Sequence, residues 1–126
     1  MKISMYAMTH DVFIKSLTQL LVVMEKGVAN AKARNFDPNI LAGSRLAPDM
    51  FAFARQIQLT SDFAKNSMAR LAGVEAPKFE DSETTMDELV ARVKKTLDYI
   101  DTISASYFTP LGHRSACSGL SCDVIE

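Results

Sequence analysis

The chain has 126 residues, enough for one domain built around one core and too few for two. Apolar residues make up 48% and charged residues 23%, ordinary globular proportions that exclude a disordered or collagen-like chain. Fourteen Lys and Arg stand against fifteen Asp and Glu, a net charge of −1, so no basic excess exists to draw nucleic acid or an anionic membrane.

The longest strictly apolar run, 20–24, falls far short of the roughly 18–20 residues a membrane-spanning helix needs. No apolar export signal follows Lys2, because Thr9, His10 and Asp11 interrupt the start. The two cysteines, Cys117 and Cys122, sit close together, unlike a secreted disulfide scaffold. A cytoplasmic protein with no membrane partner is expected.

Phe13, Leu17, Leu20, Met24, Val28 and Ala31 recur every three or four positions and predict a first helix over 6–34. Gly27 lies inside that pattern at a cost of up to about 1 kcal/mol relative to Ala, which predicts a close neighbour. Asp37 and Pro38 suit a cap and a first helical position, so a short helical turn is expected over 38–41.

After Gly43 and Ser44, Pro48 is expected to open a second long helix, with Asp49 in its first turn. Met50, Phe53, Ile57, Ala64, Met68 and Leu71 form its apolar stripe, while Arg55, Gln58, Asp62, Asn66 and Arg70 line another face. Gly73 ends it as a left-handed cap. The charged stretch 73–84, which contains Pro77, reads as a solvated connection.

Thr85 and Glu88 have the spacing of a capping box and open a third long helix that runs to about 104. Met86, Leu89, Val93, Leu97, Ile100 and Ile103 make its buried stripe; Arg92, Lys95 and Asp98 are placed on the outer side. From 104 onward Pro110, Gly112, Gly119 and several serines break the helical spacing. No run alternates with period two for long enough to make a strand. The fold class is all-α, a bundle of long antiparallel helices over 1–108 followed by an irregular tail over 109–126.

The segments 4–6, 45–51 (Arg-Leu-Ala-Pro-Asp-Met-Phe), 54–58 and 70–75, with Pro77, resemble the domain-of-unknown-function family numbered nineteen ninety-three, within the DinB-like and YfiT-like helical bundles. The resemblance covers roughly 1–108. It implies a four-helix bundle with three long helices present and the fourth missing, because the chain passes through His113 and Cys117 and stops at Glu126 where a fourth amphipathic helix would be expected. Three such helices leave an apolar seam uncovered, and burying each large apolar side chain is worth about 1.5–3 kcal/mol. Self-association as a homodimer through that seam, or a folded-back tail, is the expected remedy.

The resemblance also raises a metal held by three histidines, as in related bundles. This sequence has only His10 and His113, and the second long helix carries Gln56 and Gln58 instead, so neither a metal nor a cofactor is expected. Adjacent helical residues diverge by about 100°, so His10 and Asp11 do not converge on one ion and read as an exposed helix start. His113, Cys117 and Cys122 lack a fourth ligand and read as ordinary side chains. Met5, Met8, Met24, Met50, Met68 and Met86, at helical spacing, read as core filler rather than a binding surface.

Arg55, Asp62 and Lys65 occupy neighbouring turns and form either a solvated charged face or, with Asp49 and Gln56, the wall of a ligand pocket. Glycine-rich phosphate loops and nucleophile elbows are missing, and no residue is assigned a catalytic role. The functional expectation is a bundle that binds a small molecule or another protein without catalysis. The alternative is a degenerate metal-dependent, thiol-using transferase.

Overall fold

The computed structural model describes residues 4–108; the expected tail over 109–126, with His113, Cys117 and Cys122, lies outside the described residues. Three long helices, α1 (Met5–Ala33), α3 (Phe53–Ala72) and α4 (Met86–Thr102), are joined by a short α2 (Asn39–Gly43) and followed by a 3-10 turn (Ala105–Tyr107). No strand occurs among the described residues.

Each long helix has a local reason for its limits. Ser4 caps α1 by accepting the Ala7 N–H at 3.0 Å, and Asn35 at φ 57 turns the chain out of it. Gly73, at φ 70, ends α3 in the left-handed conformation the sequence predicts. The capping box of α4 is formed in full, with Thr85 accepting the Glu88 N–H while Glu88 accepts the Thr85 N–H at 3.0 Å.

Pro48 does not open a helix. It sits in a turn closed by the Met50 N–H donating to Ala47 O at 3.1 Å, and α3 starts at Phe53, whose N–H donates to Ser44 O at 2.9 Å. The loop thus doubles back on α2 before the helix begins, and Met50 is left 37% exposed outside the stripe assigned to it. Gly27 faces Leu41, where an added Cβ would lie 3.7 Å from Cδ1, ordinary contact distance. The expected neighbour is there, but it does not require glycine.

Leu17, Met24, Ile57, Met68, Leu89, Val93 and Ile100 form the core. Of the six methionines read as filler, Met24, Met68 and Met86 are buried, whereas Met5 and Met8 lie on the surface.

The helix directions decide where a site can be. The first turns of α1 meet the end of α4 through His10 and Asp101, so those two helices are antiparallel, as expected. Asp62 of α3 meets Arg92 of α4, while Glu75, just past α3, meets Tyr99, so α3 and α4 run in the same sense. The connection 73–85 must therefore return along the bundle. At about 3.3 Å per extended residue it reaches roughly 40 Å, ample for α4, whose 17 residues span about 26 Å. It lies along α3 and α4 as a strap, largely exposed as a solvated connection should be, with Phe79 and Glu83 half-buried against the helices.

Candidate functional site

The strap is held by Arg92, which is 3% exposed. Its guanidinium donates to the Glu80 carbonyl at 2.9 Å and to Glu83 at 2.9 and 3.1 Å, and it pairs with Asp62 and Asp81, each at 3.0 Å. Placing Arg92 on the outer side is therefore wrong. Its position lies beside Leu89 and Thr96 on the helix, and α4 packs against both α1 and α3, so its buried sector is wider than one apolar stripe.

Three of the five residues proposed as a ligand set meet here. Lys65, buried, pairs with Asp62 at 3.0 Å; Asp62 is thus shared between Lys65 and Arg92. Arg55 pairs with Asp81 of the strap. Gln58, also buried, donates to Glu83 at 3.1 Å. Gln56 turns away and donates to Phe51 O at 3.0 Å, and Asp49 lies exposed in the turn after Pro48, so neither joins the cluster. Phe79, Asp81, Glu83, Arg92 and Lys95 escaped the sequence reading. Their signal was a charged connection far longer than an antiparallel hairpin of helices needs.

The charges balance: Arg55, Lys65 and Arg92 face Asp62, Asp81 and Glu83. Burying ions is costly unless each is paired, and here the pairing spans α3, α4 and the strap. The Arg55 hydrogen bond is the largest influence on Asp81; burial opposes it, but the charges of Arg92 and Arg55 and a hydrogen bond from Arg92 add to it and hold the carboxyl below the usual carboxylate range. Burial pulls the Arg92 guanidinium down, but Glu83 and then the charges of Asp62 and Asp81 outweigh it and raise it further. Among the described residues, two buried side-chain polar atoms lack a hydrogen-bond partner, Arg92 Nε and Ser61 Oγ.

Phe79 carries the strap over this cluster. Lys65 Nζ lies 4.2 Å, Lys95 Nζ 4.4 Å and the Arg92 Cζ 5.7 Å from its ring centroid. Between the strap and α4 runs a groove of about 550 Å³, bordered by Lys78, Phe79, Glu80, Ala91 and Lys95.

A second feature lies along α1 and α3. α1 and α3 each pack on α4 but touch one another little. Away from α4, α1 presents Met5, Thr9, Val12, Ser16, Gln19 and Val23, spaced alternately by four and three and without a charge. On α3 the corresponding stripe is Gln56, Thr60, Phe63, Ser67 and Leu71, also uncharged. Val12, Val23 and Phe63 are 54%, 59% and 70% exposed.

His10 is not simply an exposed helix start. Its ring is mostly buried, stacked on Tyr6 with centroids 4.8 Å apart, and its Nε2 lies 3.3 Å from Asp101. Nδ1 lies 3.3 Å from Asp11. Among the described residues no group of three or more His, Cys, Asp or Glu could hold a metal ion, and no helix is long and apolar enough to cross a membrane.

A family model described as a domain of unknown function (DUF1993) matches residues 5–118. The fold is similar to the crystal structure of a DinB family member protein from Shewanella denitrificans, with a TM-score of 0.78 and 40% identity over 82% of this chain. This chain covers 59% of that protein's length. No curated protein matches.

Proposed function

This chain belongs to the DUF1993 family of DinB-like helical bundles, and from that premise we propose that it is a cytoplasmic, non-catalytic binding module whose open α1–α3 face takes a second copy of itself. The uncharged stripe from Met5 to Val23 is the observation that carries this reading. Its alternating spacing of four and three is that of a helix seam, and a face repeated on two copies is self-complementary about a two-fold axis. Solvent-facing positions of a helix with no partner are ordinarily charged; here the charges within the stripe's length, Asp11 and Lys15, lie on other faces of α1, and Lys26, the next position in the same spacing, closes the uncharged stretch.

Val12, Val23 and Phe63 are each more than half exposed, so burying what remains supplies about 1–2 kcal/mol for each side chain. Light scattering after gel filtration tests the reading. A dimer that Val12→Lys together with Phe63→Lys converts to a folded monomer is the expected result. A wild-type monomer that binds no hydrophobic dye would overturn it.

A further inference from the structure

Resting on the self-association proposed above, we infer the geometry of the pair: the two copies meet α1 on α1 and α3 on α3, both antiparallel, about a two-fold axis that crosses the helices at the level of Ser67. Two ion pairs set that level. His10 of α1 stands beside Asp101 of α4, and Asp62 of α3 beside Arg92 of α4. Each helix advances about 1.5 Å per residue. Leu97 of α4, four residues before Asp101 and five after Arg92, is therefore about level with Ile14 of α1 and with Ser67 of α3. Ile14 marks the midpoint of the uncharged α1 stripe, whose ends are Met5 and Val23.

The two stripes are independent, yet each is self-complementary about that one level. On α1 the two-fold turns Met5 onto Val23, Thr9 onto Gln19 and Val12 onto Ser16, so the apolar ends meet each other and the two hydrogen-bonding side chains do the same. On α3 it turns Phe63, 70% exposed, onto Leu71, since both lie four residues from Ser67, and it leaves the small Ser67 where the two backbones approach closest. The flanking charges cancel: the two Lys15 lie near the axis, each displaced along the helix by only about 3 Å from Asp11 of the second copy. An axis running along the helices would instead set α1 on α3, with Phe63 against Gln19 and Val23 between Gln56 and Thr60, apolar on polar.

Disulfide trapping tests the axis, in the full chain carrying Cys117→Ser and Cys122→Ser. A residue on a two-fold axis can link to its own copy, and Ser67→Cys brings two thiols within the roughly 7 Å Cα separation that a disulfide allows. Thr9→Cys lies about 15 Å along the helix from its own copy and needs Gln19→Cys on the other chain. Under mild oxidation, Ser67→Cys and an equal mixture of Thr9→Cys and Gln19→Cys chains should form the linked dimer at least about ten-fold faster than Thr9→Cys alone. The mixture decides by itself if Ser67→Cys loses its helices. Sedimentation of the unlinked wild-type chain separates the two claims. A wild-type dimer in which neither the Ser67→Cys chain nor the mixture links faster than Thr9→Cys alone overturns the axis and leaves the self-association standing; a wild-type monomer overturns both.

Discussion

Asp62 on α3 and Arg92 on α4 meet at 3.0 Å, and because the two helices run in the same sense this pair fixes their register while the same guanidinium grips the returning strap. One side chain thus ties three segments that are distant in sequence.

Asp62→Ala should therefore act on stability. It leaves Arg92 and Lys65, both buried, without the carboxylate they share, and breaking such a pair costs about 2–4 kcal/mol. Chemical denaturation would show a lowered midpoint. An unchanged midpoint would mean that the cluster is merely a solvated face.

Ser61 makes the opposite case. Its hydroxyl is fully buried and has no hydrogen-bond partner. Ser61→Ala removes an unsatisfied oxygen without opening much space, so stability should hold or rise by about 1 kcal/mol. A loss of more than that would reveal a hidden partner for the hydroxyl.

Gly27→Ala should stabilise α1 by up to about 1 kcal/mol, since the helix gains a better former. The Cβ would meet Leu41 at 3.7 Å, which needs no rearrangement. A drop in melting temperature would show tighter packing of α2 on α1 than the distance implies.

Acid should loosen the strap. Asp81 is lowered by its bond to Arg55, and Glu88 by the backbone N–H groups of Thr84 and Thr85. A carboxyl group that is more acidic folded than unfolded adds stability above its unfolded value, and that stability is lost as pH falls through the folded one. Melting temperature should hold from neutral pH to about 5 and then fall below about 4. In Glu88→Gln the fall should be shallower; an equal fall would remove the capping box from the account.

The helices were legible in the sequence because their signals are local. Thr85 and Glu88 announce α4 within one turn, and Gly73 ends α3 by its own backbone. Arg92 was misplaced for the opposite reason: its partners Asp62, Asp81 and Glu83 come from another helix and from the strap, and no periodicity in α4 shows them. Similarly, Pro48 is a good first helical residue, yet the Phe53 bond to Ser44 decided where α3 begins. Arg55, Asp62 and Lys65 were found by helical spacing, which also drew in Gln56 and Asp49 merely as neighbours in the chain. His10 found Asp101 only once α1 and α4 were laid side by side.

The association state of the full chain at micromolar concentration, read by analytical ultracentrifugation, tests the binding-module account most directly. A reversible dimer that Val12→Lys with Phe63→Lys dissociates without unfolding the helices is the expected result. A species that sediments as a monomer at every concentration, with the α1 stripe shielded from hydrophobic dye, would contradict it.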